Sequence, residues 1–244
     1  MNIEDLERLA ARHWQAPGGG RLGEWLLRAA DGFTGRGNSA LPAGAPGIPL
    51  PAAVDAVEAW YRERGLPPMI VLFGAGRPHP LTPLLAERAW YPRQDPAFVM
   101  TAPVAEVLAR SPAARIDLDP EPDEGFLRLY RYRGQDLPPI ARTLLMSAPW
   151  QAFGSIRRDG RTVAVGRVSV VDGWGALTAV QVDSSCQRQG LGQAITGGLT
   201  AAAADAGARD ILLQVATTNT PARALYARCG FRDSHRYEYM IAPG

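Results

Sequence analysis

Lysine is absent from this chain of 244 residues, so all 26 of its lysine and arginine positions are arginine. The basic and acidic residues nearly balance, with a formal net charge of +2 at pH 7. No block of basic residues stands out as a nucleic-acid-binding stripe or a membrane patch. We therefore expect neither a nucleic acid nor a membrane as a partner.

Cysteine and histidine are scarce. The two cysteines, Cys186 and Cys229, are too few for a disulfide framework, and we expect both to be reduced. The three histidines, His13, His79 and His235, lack the spacing of metal ligands, so we expect no metal.

Long apolar runs are also missing, and none approaches the length needed to cross a bilayer. The acidic N-terminus is unlike a signal peptide, which predicts a cytoplasmic protein. Hydrophobic residues make up 46% and charged residues 20% of the chain, as in soluble globular proteins. The length allows one large domain or two of ordinary size.

The most informative stretch runs from Val180 to Ala206. Val180 and Val182 end a predicted strand, and the turn Gln187–Gly192 leads into an Ala-rich helix. The first amides of a helix lack internal partners and carry partial positive charge, so this pattern predicts an anion site. Gly190 and Gly192 would let a phosphate approach the backbone, and Arg188 would add a charged contact from the side.

Two common phosphate-binding motifs do not fit this turn. A Walker loop requires Lys followed by Ser or Thr after its last glycine, where this chain has Gln193 and Ala194. A dinucleotide-binding fingerprint requires a third glycine, where this chain has Ile195. The remaining pattern, Gln/Arg-x-x-Gly-x-Gly/Ala, resembles the acyl-coenzyme A loop of the GCN5-related N-acetyltransferases, although an ordinary strand-to-helix turn gives a similar pattern.

A second motif follows after a predicted strand, Asp210–Val215. Asn219, Ala222, Leu225-Tyr226 and Gly230-Phe231 reproduce the second family motif in the family's order. Together the two motifs make residues 117–243 resemble a GCN5-related N-acetyltransferase.

The resemblance implies acetyl transfer from acetyl-coenzyme A (acetyl-CoA) to a primary amine by direct attack in a ternary complex. It implies that Tyr226 is the general acid that protonates the leaving thiolate. It also implies that the pantetheine arm pairs with the strand at Val180 and Val182. The full set of implied cofactor-binding residues is Val180, Val182, Gln187, Arg188, Gln189, Gly190, Leu191, Gly192, Asn219 and Ala222.

The sequence does not identify a general base. Glu238, Asp172 and His235 are candidates by residue type only, and surface or turn positions are the simpler interpretation for each. An ordered water or an amine that arrives neutral would serve equally well. A non-catalytic acyl-CoA-binding sensor or scaffold is therefore the alternative function.

The predicted fold is α/β (α+β), with two acetyltransferase-like domains, each a mixed, mostly antiparallel sheet flanked by helices. In the second domain we expect three antiparallel strands, with hairpin turns at Asp159-Gly160 and Asp172-Gly173. The resemblance implies that two parallel strands splay apart at the cofactor site of this domain.

The first part of the chain resembles a second, degenerate copy. Residues 85–90 and 98–103 match residues 226–231 and 239–243 in type and order, which indicates a duplication. Prolines between Gly44 and Pro51 replace the phosphate loop, and proline has no N–H to offer an anion. We predict a degenerate domain over residues 1–103, a linker over 104–114 and an acetyl-CoA-binding domain over 115–244, in a monomer or a weak homodimer.

Overall fold

The computed structural model describes residues 1–74, 79–94, 96–111, 114–132 and 134–244. In these ranges the helices are α1 (Ile3–His13), α2 (Leu50–Arg62), α3 (Thr82–Glu87), α4 (Val104–Arg110), α5 (Glu124–Leu129), α6 (Ile140–Leu145), α7 (Leu191–Asp205) and α8 (Thr220–Arg228). The strands are β1 (Gly18–Leu22), β2 (Trp25–Ala29), β3 (Met69–Gly74), β4 (Tyr91–Pro92), β5 (Ala97–Pro103), β6 (Asp117–Asp119), β7 (Gln151–Arg158), β8 (Arg161–Val171), β9 (Trp174–Val182), β10 (Asp210–Ala216) and β11 (Arg232–Ile241). Within these ranges no helix has the length and apolar character needed to span a bilayer.

The chain forms two compact units. The first comprises Met1–Phe98, Ala216–Thr218 and Ser234–Gly244, and the second comprises Val99–Val215 and Asn219–Asp233. Each unit combines helices with strands, so the fold is mixed α/β, as predicted.

The first unit is built around an antiparallel pair, β3 and β11, whose register runs from Met69 opposite Ile241 to Gly74 opposite Arg236. β4 pairs with the end of β11, while β1 and β2 form a separate antiparallel hairpin. The core between helices and strands is apolar and buried; among its members are Trp25, Val54, Val57, Tyr61, Ile70, Leu81 and Leu85.

The second unit contains a sheet in the order β5-β10-β9-β8-β7-β6. The β6–β7, β7–β8 and β8–β9 pairs are antiparallel, and β9 and β10 are parallel. Helix α7 packs on this sheet because glycines on two strands leave room for it. A Cβ added at Gly154 or Gly166 would lie 2.8 or 2.7 Å from the Leu199 side chain.

The two predicted hairpin turns are confirmed. Asp159 and Gly160 join β7 to β8 with positive φ at both residues (49° and 74°), and Asp172 and Gly173 join β8 to β9 in the same way (49° and 76°). Two successive residues with positive φ match the right-handed twist of the strands that they connect.

Some elements differ from the sequence-based expectation. Residues 104–110, predicted as linker, form helix α4 in the second unit. The glycine-rich segment Gly18–Leu22, which follows helix α1, forms strand β1. The compact units also differ in extent from the predicted domains, because most of β5 belongs to the second unit and most of β11 belongs to the first.

Helix α5 illustrates a local capping signal. The Asp123 carboxylate accepts a hydrogen bond from the Phe126 amide at 2.6 Å and pairs with Arg157 at 2.6 Å. Partial burial alone would raise the pKa of Asp123, but the Phe126 amide and the Arg157 guanidinium together hold it below its usual value. Asp123 therefore stays ionised and fixes the start of the helix.

Candidate active site

Strands β9 and β10 separate part-way along their length. Their parallel pairing runs from Trp174 opposite Asp210 to Leu177 opposite Leu213. In the described register no pair joins them beyond this point, although β9 continues to Val182. Its other edge remains paired with β8 as far as Val182 opposite Ala164. The end of β9 thus presents backbone groups toward the gap left by β10.

A β-bulge coincides with this separation. The register between β8 and β9 shifts between Val165, which faces Gln181, and Arg167, which faces Thr178, so β9 carries one extra residue. Ala179 in the bulge has φ +54°, an uncommon value for a residue with a side chain. A bulge bends its strand and increases the local twist, which turns the end of β9 away from its partner.

The turn after β9 leads to a helix start without a side-chain cap. Gly190, at φ +79°, occupies the N-cap position of α7 and has no side chain that could accept a hydrogen bond from the first turn. The first backbone bond of the helix runs from the Ala194 amide to the Gly190 carbonyl at 2.9 Å. The amides of Leu191, Gly192 and Gln193 therefore have no partner within the helix.

The approach to this helix is fixed by Asp183. Its carboxylate accepts hydrogen bonds from the Ser185 hydroxyl and amide at 2.6 and 2.9 Å, and it pairs with Arg161. The contacts with Ser185, reinforced by Arg161, lower the pKa of Asp183. Asp183 is consequently an ionised anchor of the turn and has a structural role.

These elements enclose a cleft of about 430 Å³. Of the ten predicted cofactor-binding residues, all except Gln189 line it, and so does Tyr226. The Gln189 side chain instead accepts a hydrogen bond from Arg158. The remaining lining residues, which the sequence-based prediction missed, are Gln181, Cys186, Gln193, Pro221, Leu225 and Arg228.

Several of the missed residues follow a regular spacing. Asn219 caps helix α8 and accepts a hydrogen bond from the Ala222 amide at 3.2 Å. From Asn219 onward, every third residue lines the cleft: Ala222, Leu225 and Arg228. Residues three apart share one face of a helix, so this periodicity could have identified Leu225 and Arg228. Gly192 lets the two helices come close, since a Cβ there would lie 2.8 Å from the Leu225 side chain.

Tyr226 lies at the inner wall of the cleft and is only 8% exposed. Its ring packs against Phe231 with the centroids 5.8 Å apart. Burial raises the pKa of Tyr226 well above its ordinary value, and the nearby Cys229 adds to the shift. The phenol is therefore neutral at physiological pH and carries a proton that it can donate.

The cleft is basic. Its charged lining residues are Arg188 and Arg228, and no aspartate, glutamate or histidine occurs among the described residues that line it. In the ranges that the structure covers, no group of three or more His, Cys, Asp or Glu side chains is placed to hold a metal.

The three candidate bases lie elsewhere. His235 was expected at the surface or in a turn but is buried in β11, where its ring contacts the Glu7 carboxylate at 2.7 Å. Glu238 lies in the same strand, with its carboxylate 3.8 Å from Arg236. Asp172 occupies the β8–β9 turn. None of them is among the residues that line the cleft.

Comparison with known proteins agrees with this geometry. A family model described as the C-terminal region of the probable histone acetyltransferase Rv0428c matches residues 1–240. The chain belongs to this family. It is 30% identical to the probable histone acetyltransferase Rv0428c of Mycobacterium tuberculosis over 249 aligned positions, which cover 98% of this chain and 74% of that protein. It is 29% identical to the uncharacterized N-acetyltransferase YobR of Bacillus subtilis, with 98% of both chains covered.

Solved structures share the fold. A GCN5-related N-acetyltransferase from Kribbella flavida superposes with a TM-score of 0.70 at 18% identity, covering 100% of this chain and 97% of that one. A tandem acetyltransferase-family protein from the clavulanic acid biosynthesis pathway superposes with a TM-score of 0.65 at 15% identity, covering 98% and 89%. The predicted family is confirmed: the chain belongs to the acetyltransferases of the GCN5-related type.

Proposed function

We propose that the protein transfers an acetyl group from acetyl-CoA to a primary amine by direct attack in a ternary complex. The observation that carries this proposal is the cleft itself, in which the unpaired end of β9, the uncapped start of α7 and Tyr226 meet. Acetyl-CoA, when bound, supplies an activated thioester. The amine nitrogen forms a bond to its carbonyl carbon, the carbon–sulfur bond breaks, and the nitrogen loses a proton as the thiolate gains one.

The start of α7 fits a pyrophosphate group. Leu191, Gly192 and Gln193 offer amides without helical partners, and the positive end of the helix dipole lies there. Gly190 and Gly192 keep the backbone accessible, and the exposed Arg188 side chain lies at the same cleft. Backbone amides, local positive charge and missing side chains are together what a phosphate-binding turn requires.

The end of β9 fits the pantetheine arm, which contains two amide groups. Val180 and Val182 line the cleft on the edge that β10 no longer covers. A ligand amide on this edge would extend the sheet by one strand, with hydrogen bonds as in β-augmentation.

Tyr226 is our candidate for the group that stabilises the leaving thiolate. The raised pKa keeps its hydroxyl protonated, and the residue lines the cleft. An ordinary thiol has a pKa near 8.5, below that of the buried phenol, so full proton transfer to a free thiolate is uphill. We therefore propose that Tyr226 donates a hydrogen bond as the carbon–sulfur bond breaks, and that the proton is shared rather than given up early.

The amine must lose a proton, and the lining of the cleft offers no carboxylate or imidazole among the described residues. We propose that the amine arrives in its neutral form or passes its proton to water. The same observation favours the second candidate function, a non-catalytic acyl-CoA-binding sensor or scaffold.

The experiment that separates the two functions uses the full chain. Isothermal titration calorimetry with acetyl-CoA tests binding, and mass spectrometry of a panel of amines tests transfer. The panel should hold small primary amines and basic peptides with lysine or a free N-terminus, because one relative is named as a probable histone acetyltransferase. Binding with acetylated product supports the enzyme, binding without product supports the sensor, and absence of binding contradicts both.

We also propose that residues 1–103 descend from a second acetyltransferase-like copy that has lost the cofactor site. Helix α2 begins at a proline N-cap, Pro49, with Pro51 in its first turn, where α7 has Gly190 and Gly192. Proline lacks the N–H group on which the proposed phosphate site depends. A tandem arrangement occurs in one of the structures with a similar fold. The expected monomer or weak homodimer would be tested by analytical ultracentrifugation.

A further inference from the structure

The first compact unit contains a pocket of its own, to which neither sequence motif gives a role. It has a volume of about 360 Å³, and every described residue that lines it falls within Met1–Phe98. We call it the first-unit pocket; the lining residues used below are Glu4, Trp25, Gly44, Leu50, Phe73 and His79.

The first-unit pocket occupies the same place in its unit as the cleft does in the second. Ala40 forms a parallel bridge with Ile70 of β3, and Leu41 forms an antiparallel bridge with Leu26 of β2. Strand β9 likewise pairs in parallel with β10 and antiparallel with β8. The pocket lies just after Leu41 and at the start of α2, as the cleft lies at the end of β9 and the start of α7. The first unit therefore retains a cavity at this position.

The walls of the first-unit pocket are apolar. Trp25 and Phe73 are 2% and 8% exposed, and Leu50 is partly buried. The Trp25 indole N–H donates a hydrogen bond to the Gly44 carbonyl at 3.0 Å, so the polar edge of this ring is already satisfied. A cavity of about 150 Å³ is enough to hold benzene. The larger first-unit pocket can therefore hold an aromatic ring or a branched aliphatic group with a short chain.

The mouth of the pocket is acidic. Glu4 is the one carboxylate among its described lining residues. The Arg8 guanidinium lies 3.8 Å from the carboxylates of Glu4 and Glu24 and 3.3 Å from that of Asp5, so three carboxylates surround one cation. A Cβ added at Gly44 would lie 2.5 Å from a Glu24 oxygen, which places this group beside the lining. The partial positive charge at the start of α1, about half a unit charge, offsets only a fraction of the excess.

The other polar groups of the pocket do not favour an anion. The Nδ1 atom of His79 accepts a hydrogen bond from the Leu81 amide at 3.2 Å, and burial lowers the pKa of His79. The ring is therefore neutral at pH 7 and does not offset the acidic mouth. Helix α2 begins with Pro49 as its N-cap and has Pro51 in its first turn, so this helix start lacks an N–H group that an anion would use. Charge complementarity points to a cation.

We infer that the first-unit pocket binds a small organic amine, in its ammonium form, with an aromatic or branched aliphatic body. The body would lie between Trp25, Leu50 and Phe73, and the ammonium group would lie at Glu4. This inference goes beyond the proposed function and does not depend on it, because acetyl-CoA takes no part in the binding.

The test compares three ligands that share one ring and differ in charge: 2-phenylethylamine, 2-phenylethanol and phenylacetate. Each is titrated at about pH 7 into the isotope-labelled full chain without acetyl-CoA, and the indole N–H signals are followed by NMR. The signal of Trp25 is assigned by its loss in Trp25→Phe and reports on the first-unit pocket. The signal of Trp150, an exposed residue of the second unit that is not a lining residue, is the reference.

Two pairs of variants separate the charge from the walls. Glu4→Gln should weaken binding of the amine about two- to fivefold, the scale of an exposed charge pair, and leave the alcohol unchanged. Glu63→Gln is its control, because Glu63 is an exposed carboxylate outside the pocket. Leu50→Trp should fill the pocket and weaken all three ligands, whereas Ile48→Trp, at an exposed position outside the lining, should not.

The inference is supported if the Trp25 signal shifts saturably, with the amine binding most tightly and phenylacetate most weakly, and if Glu4→Gln removes the preference for the amine. It is overturned if the Trp25 signal stays in place, if the wild-type chain binds the amine and the alcohol equally, or if Glu4→Gln behaves like Glu63→Gln. An amine that binds only in the cleft of the second unit would also leave the Trp25 signal in place. None of these results bears on acetyl transfer, so failure here and failure of the proposed function are distinguishable.

Discussion

Substitution of Gly190 tests the phosphate-binding turn most directly, because the chain offers a matched position at the other end of the same helix. Gly190 precedes α7 with φ +79°, and Gly207 follows it with φ +88°. In the described structure no atom lies within 4 Å of a Cβ added at either glycine. Alanine at either site should therefore meet no clash and should cost only the backbone strain of the left-handed region.

That strain is about 1 to 2 kcal/mol per residue. For a chain of this size a loss of 1 kcal/mol lowers the melting temperature by roughly 2–4 °C. Gly190→Ala and Gly207→Ala should thus have similar melting temperatures, both lower than that of the wild-type chain. Differential scanning calorimetry gives this comparison.

The two variants should differ in their affinity for acetyl-CoA. Gly190 lines the cleft and Gly207 does not. A methyl group at Gly190 would occupy space that an approaching phosphate needs, so we expect acetyl-CoA to bind Gly190→Ala at least about tenfold more weakly, or about 1.4 kcal/mol. Gly207→Ala should bind as the wild-type chain does. Titration calorimetry measures both.

Gly190→Pro is the stronger change. Proline fixes φ near −65°, and the observed value has the opposite sign, so the turn must rearrange and binding should be lost. The reasoning would be refuted if Gly190→Ala lost stability like Gly207→Ala but bound acetyl-CoA with wild-type affinity. The pyrophosphate would then lie elsewhere.

Three further predictions follow from single residues. Tyr226→Phe should lower kcat about a hundredfold and change the Kd of acetyl-CoA little. An unchanged kcat would mean that Tyr226 contributes only to packing. Iodoacetamide should label Cys186, which lines the cleft, and bound acetyl-CoA should slow this reaction. The fully buried Cys229 should react only when the protein unfolds. If acetyl-CoA did not slow the labelling of Cys186, the result would count against this cleft as the cofactor site. Asp123→Ala should lower the free energy of unfolding by about 1 kcal/mol at about pH 7. Because the folded-state pKa of Asp123 is lowered, its contribution is present above the unfolded-state pKa and disappears as the pH falls through the folded-state pKa. The difference in urea unfolding between the variant and the wild-type chain should therefore shrink as the pH is lowered below the unfolded-state pKa of about 4.

The parts of the fold that local chemistry determines could be predicted from the sequence. The β7–β9 strands follow from alternating apolar residues between two Asp-Gly turns, and positive φ at both turn residues is what such dipeptides favour. Helix α8 follows from Asn219 as its cap and a proline in its first turn. Each of these signals acts within a few residues, so no knowledge of distant partners was needed.

The extent of the compact units could not be predicted in the same way. β11 pairs with β3 across more than 150 residues of sequence, and β5 lies beside β10 although a long segment of the chain separates them. Apolar alternation shows that a strand is half buried but does not identify its neighbour. The same limit applies to His235, whose buried contact with Glu7 joins two ends of the sequence.

The bulge in β9 links the fold to the proposed chemistry. A regular strand would keep its register with β10, and its backbone N–H and C=O groups would all be hydrogen-bonded to neighbouring strands. The extra residue at Ala179 preserves pairing with β8 while pairing with β10 stops at Leu177. Gly166 on β8 accommodates the distortion, because a Cβ there would lie 3.2 Å from the Val180 side chain and 2.7 Å from Leu199. The strained conformation of Ala179 therefore occurs beside a position where glycine leaves room, and the result is an open strand edge beside a helix start. We infer that the two sequence motifs specify the proposed phosphate turn and Tyr226, whereas the proposed site for the pantetheine arm depends on this bulge, whose extra residue, Ala179, is not a glycine.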